Sequence, residues 1–252
     1  MTYFALEDVH LRFGGLSAIR DLSFEVKRGE IFAIIGPNGA GKTSVFNVIT
    51  RVYAPAKGRV VFKGQDITAG PRHDLARIGI GRTFQNIELF EHATVLDNLL
   101  LGRHRFESAN ILARVLRTPA VLREEADSRE KIERIIDFLE LSSYRNVLVK
   151  GLPYGIRKVI ELGRALATEP ELLLLDEPAS GLNPEETRDL GFWIEDINRD
   201  LGITVIMIEH DMSIVADIAS RVLCMNQGQP LATGSLAEVR ATPAVVAAYL
   251  GT

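Results

Sequence analysis

The stretch Gly36-Pro37-Asn38-Gly39-Ala40-Gly41-Lys42-Thr43 fills every fixed position of a known pattern, in which four arbitrary residues separate a glycine from Gly-Lys-Ser/Thr. The apolar run Ile31–Ile35 precedes it and predicts a buried strand, and the run Ser44–Ile49 follows it and predicts a helix. A strand, a glycine-rich loop and a helix form the context in which this pattern binds phosphate. A glycine-rich turn without a ligand is the weaker interpretation, because the whole pattern is present.

Each part of this loop has a role in holding a nucleoside triphosphate. Glycines lack a Cβ atom, so backbone N–H groups can surround the phosphates beside the positive end of the helix dipole. Lys42 is expected to reach the β- and γ-phosphates, and the Thr43 hydroxyl is expected to coordinate Mg²⁺. The predicted nucleotide-binding residues of the stretch are Gly36, Asn38, Gly39, Ala40, Gly41, Lys42, Thr43 and Ser44.

Composition and charge limit the class of protein. Of the 252 residues, 46% are apolar and 25% are charged, which is ordinary for a globular protein. The net charge of −4 gives no broad basic surface for nucleic acid. Because no apolar run approaches a membrane span and no secretory signal is visible, we expect a cytoplasmic protein unless a partner holds it at a membrane. The single cysteine, Cys224, lies in a predicted strand and is interpreted as a core residue.

Two carboxylates follow the apolar run Leu172–Leu175. Asp176 is expected at the C-terminal end of a strand beside the strand that leads into the phosphate-binding loop, where it can hold the Mg²⁺ shell. Because side chains alternate along a strand, Glu177 is expected to point elsewhere and to orient and deprotonate an attacking water. The alternative, two acids in a turn, loses weight beside a phosphate-binding loop.

Three other residues remain open on pattern alone. His210 follows the apolar run Ile203–Ile208 and is either structural or faces the crevice at the strand ends. Phe13 follows the predicted strand Tyr3–Leu11 and either stacks on adenine or fills the core, which its spacing favours. Gln85 ends a predicted strand and is either close to Mg²⁺ or, as is more common, a surface residue.

The predicted elements indicate an α/β fold with a separate helical part. Thr94 is predicted to cap a helix that ends at Leu101. From Arg103 to Glu140, apolar residues recur at helical spacing without strand signals, so we expect two or three helices. Basic residues at the start of this part are interpreted as a solvated face, with contact to a partner or to lipid as the alternative: Arg103, His104, Arg105, Arg114 and Arg117.

The order of motifs along the chain resembles the nucleotide-binding subunit of an ABC transporter. After the phosphate-binding loop come Gln85, the Leu-x-x-Gly element Leu152–Gly155 running into a predicted helix Val159–Ala167, the run Leu172–Pro178, the loop Ser180–Asn183, and His210. The resemblance covers essentially the whole chain. The stretch Arg82–Phe90, the helical insert after Gly102 and the pair Tyr154-Gly155 are most similar to the ATPase subunits of branched-chain amino-acid importers.

This resemblance implies an α/β P-loop ATPase with a mainly parallel core sheet, an N-terminal antiparallel β-subdomain and a helical subdomain. The implied core comprises residues 1–85 and 169–252, and the implied helical subdomain about 86–168. Phe13 becomes the residue that stacks on adenine, Gln85 the coupling glutamine, Glu177 the catalytic base and His210 the γ-phosphate switch. The implied Mg²⁺ site consists of Thr43, Gln85 and Asp176.

The resemblance also implies partners. Two ATPase subunits, identical or paralogous, would enclose two ATP molecules, each site combining the P-loop of one subunit with Gly155 and the Asn183 loop of the other. Integral-membrane permease subunits would bind Gln85–Leu100 at the cytoplasmic face of the inner membrane. A substrate-binding protein outside the cell would act indirectly, and no nucleic acid is expected. A soluble ABC ATPase of translation or DNA repair is the alternative, but those proteins carry two ATPase halves or a long coiled-coil insertion.

Two departures from the family pattern concern the composite site. The signature serine of the family is replaced by Pro153 and its first glycine by Tyr154, so a serine contact with phosphate cannot be assumed. The aspartate of the loop after the Asp-Glu strand is replaced by Asn183, which removes a charge.

Overall fold

Two compact units make up the chain. The computed structural model describes residues 2–83, 87–106 and 116–250. One unit comprises Met1–Gln85 and Glu171–Thr252, and the other comprises Asn86–Pro170. The first unit carries two β-sheets, and the described part of the second is built from helices.

The smaller sheet of the first unit is antiparallel and the larger is mainly parallel. The strands are β1 (Thr2–Phe13), β2 (Leu16–Lys27), β3 (Ile31–Ile35), β4 (Lys57–Phe62), β5 (Gln65–Asp66), β6 (Ile80–Arg82), β7 (Leu172–Asp176), β8 (Thr204–Ile208), β9 (Arg221–Asn226) and β10 (Gln229–Gly234). The smaller sheet has the order β2-β1-β4-β5, and the larger has the order β10-β9-β3-β8-β7-β6. Neighbours from β9 to β6 are parallel, and β10 is antiparallel to β9. The predicted α/β class with a mainly parallel core sheet is confirmed.

Helices lie in both units. In chain order, the helices among the described residues are α1 (Lys42–Ile49), α2 (Asp74–Arg77), α3 (Val95–Leu101), α4 (Pro119–Phe138), α5 (Tyr154–Leu166), α6 (Pro184–Leu201), α7 (Met212–Ile218), α8 (Leu236–Ala241) and α9 (Pro243–Leu250). Short 3₁₀ turns occupy His104–Phe106, Ser142–Tyr144 and Val149–Gly151. Among the described residues, no helix combines the length and the apolar character that a membrane crossing requires.

The core of the first unit lies between its two sheets and around α1. Strands β3, β7 and β8 are buried along their whole length, as expected for parallel strands covered on both faces. The rings of Phe24 on β2 and Phe32 on β3 stack with centroids 5.3 Å apart and bring the sheets together. Cys224 on β9 is fully buried, as predicted, and burial raises the pKa of its thiol to about 11.

The helical unit confirms one prediction and corrects two. The Thr94 hydroxyl accepts the N–H of Asp97 in a capping box, so the predicted cap of α3 is confirmed. Helix α5 begins at Tyr154, five residues earlier than predicted, because Pro153 fixes the entry and the first helical N–H groups need no intrahelical partner. Arg103 does not lie on a solvated face. Its side chain is buried, and Nη1 donates to Glu169 Oε1 at 2.7 Å, while Arg114 lies outside the described residues.

Candidate functional site

The order of the parallel strands determines which site residues are neighbours. Strand β8 lies between β3 and β7, so the prediction that Asp176 lies on the strand directly beside β3 is wrong. The strand order depends on crossover connections, which a list of strands along the chain does not specify. The carboxyl ends of β3, β8 and β7 nevertheless meet at one edge of the sheet, where open α/β folds bind ligands. They carry the P-loop, His210 and the pair Asp176-Glu177.

The P-loop backbone requires glycine at two positions. Gly36 has φ +150°, and a Cβ atom there would lie 2.2 Å from the carbonyl oxygen of Met225. Gly41 has φ +100°, and its Cβ atom would lie 2.7 Å from the carbonyl oxygen of Ala18. A side chain at position 36 would therefore displace the backbone of β9, and one at position 41 would displace the backbone of β2. The loop packs tightly on its inner side and keeps its exposed residues Asn38 and Gly39 towards solvent.

Lys42 is the first residue of α1 and folds back over the loop. Its ammonium group donates to the carbonyl oxygens of Gly36 at 2.7 Å and Pro37 at 3.1 Å. Burial lowers the pKa of Lys42 below its usual range, while the negative charges of Glu177 and Asp176 oppose this shift. The structure thus places a buried cation where the loop surrounds a potential phosphate position.

Asp176 and Glu177 diverge, but not for the predicted reason. Strand β7 ends at Asp176, and Glu177 has φ +48°, in the left-handed region that non-glycine residues seldom adopt. Its N–H donates to the carbonyl oxygen of Ile208 on β8 at 2.9 Å, which holds this conformation. The side chain of Glu177 is turned into the crevice by this backbone conformation, and strand alternation is not involved. Such an uncommon conformation is typical of functional sites.

His210 lies beside Glu177 at the end of β8. Its Nδ1 atom is 3.9 Å from Glu177 Oε2 and 3.8 Å from Glu209 Oε2, and the side chain is 57% exposed. The structure therefore gives His210 access to a ligand in the crevice, and its exposure argues against a purely structural role.

Glu209 was not predicted as a site residue, but it connects the two segments that carry the acidic residues and the histidine. Its fully buried carboxylate accepts the N–H of Ala179 at 2.8 Å, of His210 at 3.0 Å and of Asp211 at 3.3 Å. The first bond reaches the segment after β7, and the other two reach the segment after β8. The sequence signal for Glu209 was its position, a polar residue at the end of an apolar strand. The functional role was instead assigned to the neighbouring residue, His210.

Glu209 makes stability dependent on pH. Burial raises the pKa of its carboxyl above the ordinary range, and the N–H bonds oppose this only in part. Because the folded chain then holds the proton more tightly than the unfolded chain, ionisation above about pH 4 costs folding free energy, about 1.4 kcal/mol per pKa unit. We expect the free energy of unfolding of the parental chain, relative to Glu209→Gln, to fall as pH rises above about 4, the ordinary pKa of a glutamate. Urea unfolding measures this, and a constant difference would contradict it.

A cavity of about 570 Å³ lies over the P-loop in the first unit. Predicted residues in its lining are Phe13, Asn38, Gly39, Ala40, Gly41, Lys42, Thr43, Ser44 and Glu177. Phe13 is 43% exposed and packs edge-on against Tyr53 with centroids 4.8 Å apart. The core interpretation that its spacing favoured is therefore wrong, because Phe13 ends β1 at the rim of the cavity.

Other lining residues were not predicted: Leu16, Ser17, Ala18, Arg20, Gln227 and Gly228. They come from β2 and from the turn between β9 and β10, which pack against the P-loop. The N–H of Gly228 donates to the carbonyl oxygen of Ala40 at 2.9 Å. Their residue types carry no chemical signal, so a sequence pattern could not have found them.

The donor set at the strand ends suits Mg²⁺. Thr43 is an exposed residue in the first turn of α1, and the side chain of Asp176 is 2% exposed at the end of β7. Hydroxyl and carboxylate oxygens are the ligands that Mg²⁺ prefers. Gln85, the third predicted metal-site residue, lies outside the described residues.

Two residues assigned to the composite site by resemblance have clear local roles. Gly155 is buried near the start of α5, which follows Pro153 as its N-cap. Asn183 caps α6, and its side-chain oxygen accepts the N–H groups of Glu185 at 2.9 Å and Glu186 at 3.0 Å. A neutral amide oxygen is sufficient for this cap, so asparagine can replace aspartate here.

The family model and the relatives that match this chain agree with one another. The family model described as ABC transporter matches residues 19–180. The high-affinity branched-chain amino acid transport ATP-binding protein BraF of Pseudomonas aeruginosa is 41% identical over 241 residues, 96% of this chain and 94% of the relative. The corresponding LivG of Escherichia coli K12 is 39% identical over 241 residues, with the same coverage.

Solved structures give the same result for the fold. A nucleotide-free ATP-binding cassette from an ABC transporter superposes with a TM-score of 0.87 at 33% identity, covering 100% of both chains. The ADP conformation of an ATP-binding cassette of an ABC transporter also gives a TM-score of 0.87, at 34% identity with the same coverage.

Proposed function

Because this chain belongs to the ABC transporter family of ATP-binding proteins, we propose that it is the ATP-hydrolysing motor subunit of an importer for branched-chain or related amino acids. The relatives named above are ATP-binding subunits for transport of such amino acids. This supports a role in amino-acid import over a role in translation or DNA repair. The subunit would lie at the cytoplasmic face of the membrane, held by its permease partners, with a substrate-binding protein acting from outside.

The residues of the first unit divide the work of hydrolysis. Phe13 stacks on the adenine, while Lys42 and the N–H groups of the P-loop hold the β- and γ-phosphates. Thr43 and Asp176 would hold Mg²⁺, which would neutralise charge on the phosphates when bound. Glu177 orients the attacking water and accepts its proton, and His210 contacts the γ-phosphate from the neighbouring strand. The observation that carries this assignment is the shared edge of β3, β7 and β8.

The site is completed by a second ATPase subunit. The N-terminus of α5 offers backbone N–H groups without intrahelical partners and the positive end of a helix dipole. Pro153 fixes that entry, so Gly155 and the dipole, without a serine hydroxyl, meet the γ-phosphate of the other subunit. Asn183 contributes through the loop Ser180–Asn183, which leads into α6.

Coupling to the permease uses an apolar surface that we call the docking surface, formed by Ile87, Leu89 and Phe90. Phe90 is 61% exposed, although its backbone is fixed: its N–H donates to the buried Asn98 at 2.8 Å, and Asn98 donates back to its carbonyl oxygen at 3.1 Å. An exposed aromatic on a rigid backbone is typical of a binding site. Val95 lies within the predicted permease-binding range Gln85–Leu100, but it is fully buried in α3 and does not belong to this surface.

The docking surface can be tested by crosslinking in membranes. We expect Phe90→Cys or Leu89→Cys to crosslink to a cytoplasmic segment of the permease, because the side chains would be buried against it. Leu122→Cys is the control, since Leu122 is an exposed apolar residue on α4 of the same unit. Background from the natural thiol is small because Cys224 is buried. Crosslinks at Leu122 alone, or at none of the three positions, would contradict a transport role.

A further inference from the structure

Arg82 is the last residue of β6, and its guanidinium contacts Asp176, a residue of the proposed Mg²⁺ site. Nη2 donates to Asp176 Oδ2 at 2.9 Å, while Nη1 donates to Asn47 Oδ1 at 3.0 Å and to Thr50 Oγ1 at 2.9 Å. The guanidinium also lies over the Phe46 ring, 5.6 Å from its centroid. One side chain, 11% exposed, therefore connects the end of β7 to α1.

The partners on α1 lie on the face that carries the proposed metal ligand. Thr43, Asn47 and Thr50 follow one another at intervals of four and three residues, which places them along one side of the helix and its C-cap. The guanidinium thus holds the face of α1 that presents the Thr43 hydroxyl. On its other side it holds Asp176 directly. The guanidinium therefore bonds one proposed Mg²⁺ ligand, Asp176, and two residues on the side of α1 that carries the other, Thr43.

We infer that Arg82 is a positioning residue that sets the separation of the Thr43 hydroxyl and the Asp176 carboxylate, and thereby the affinity of the site for Mg²⁺ with ATP. This inference rests on the proposed function, because it takes those two groups as the metal ligands. It requires arginine specifically. A guanidinium donates in several fixed directions at once, whereas a lysine ammonium is a point charge on a flexible stem.

A simpler role would be to neutralise the buried carboxylate of Asp176. The bond to Asp176 alone would serve that role, but Arg82 is also bonded to Asn47 and Thr50. Substitutions separate the two roles. Arg82→Lys keeps a cation beside Asp176 but loses the planar guanidinium that bonds Asp176, Asn47 and Thr50 at once. Asn47→Ala keeps the guanidinium of Arg82 and its ion pair with Asp176, and removes one of the two hydrogen bonds from Arg82 to the α1 segment.

The same unit offers a matched control in Arg221. Its Nη1 lies 3.1 Å from Oε1 of the buried Glu30, and its guanidinium lies 5.5 Å from the centroid of the Phe32 ring. It is therefore another arginine that pairs with a buried carboxylate over a phenylalanine. Arg221 begins β9 and pairs in register with Phe32 near the start of β3, so it lies at the opposite strand ends from the nucleotide cavity.

The test is a titration of the full chain with a fluorescent ATP analogue, once with EDTA and once with excess Mg²⁺. The ratio of the two dissociation constants measures how much Mg²⁺ tightens binding. Loss of a residue that orients a metal ligand typically costs about 10- to 100-fold in metal affinity. We expect Arg82→Gln and Arg82→Lys to reduce the ratio about tenfold and Asn47→Ala to reduce it about threefold. Binding in EDTA should change less than about twofold, and Arg221→Gln should leave the ratio unchanged.

Each other outcome decides against the inference or against its premise. A parental ratio in Arg82→Lys or in Asn47→Ala assigns Arg82 the neutralising role alone and overturns the inference. An equal loss in Arg221→Gln attributes the effect to general destabilisation and overturns it as well. If thermal unfolding shows that Arg82→Gln does not fold, the lysine and Asn47 variants decide. If the parental chain shows no Mg²⁺-dependent binding, the proposed function itself fails.

Discussion

Replacing Lys42 with alanine should reduce ATP hydrolysis by about 100-fold or more, because the variant lacks the cation that holds the β- and γ-phosphates. ATP binding should weaken as well. At a ligand concentration of about 100 times its dissociation constant, ATP should stabilise the parental chain by about 2.7 kcal/mol and raise its melting temperature by on the order of 5–10 °C. The Lys42→Ala chain should show little of this shift in thermal unfolding experiments.

A lysine in an ion pair away from the cavity provides the control. Lys63 contacts the Glu171 carboxylate on the first unit, and Lys63→Ala should keep both parental hydrolysis and the shift produced by ATP. The melting temperature without ATP shows that each variant is folded. Parental hydrolysis in Lys42→Ala would mean that this loop is not the catalytic phosphate site.

Replacing Glu177 with glutamine should reduce hydrolysis by about 10²- to 10⁴-fold, the usual contribution of a general base, and should leave ATP binding intact. Glutamine has nearly the same shape, and the backbone bond from residue 177 to Ile208 does not depend on the side chain. The variant should therefore retain the uncommon backbone conformation and lose only the group that accepts the proton. Single-turnover hydrolysis and nucleotide titration separate these two effects.

The matched control lies at the other end of the same strand. Glu171 directly precedes β7 and accepts the hydroxyl of Tyr3 at 2.9 Å, so Glu171→Gln removes a comparable charge without reaching the cavity. It should hydrolyse ATP at the parental rate. Weakened ATP binding in Glu177→Gln, with hydrolysis reduced only in proportion, would assign Glu177 to binding and not to proton transfer.

The sequence predicted what local patterns determine. Complete motifs indicated the P-loop, its strand and its helix, and uninterrupted apolar runs indicated the buried strands β7 and β8. A threonine directly before an apolar helical run indicated the cap of α3. In each case the residues that are adjacent in the chain are sufficient to determine the local structure.

Features that depend on distant contacts were missed. The placement of β8 between β3 and β7 is set by crossovers. The left-handed backbone of Glu177 is held by a bond to another strand, and glutamate itself gives no indication of it. Arg103 has the residue type of a solvated face and is buried because Glu169 pairs with it. The roles of Glu209 and Arg82 depend on bonds to segments that are far away in the chain.

The most direct test of the central claim is ATP hydrolysis by this chain assembled with its permease subunits in lipid vesicles, measured with and without a branched-chain amino acid and its binding protein. The account predicts that amino acid and binding protein together stimulate hydrolysis, that labelled amino acid accumulates in proportion, and that Glu177→Gln abolishes both. Hydrolysis that is unaffected by any amino acid and moves none across the membrane would contradict the account.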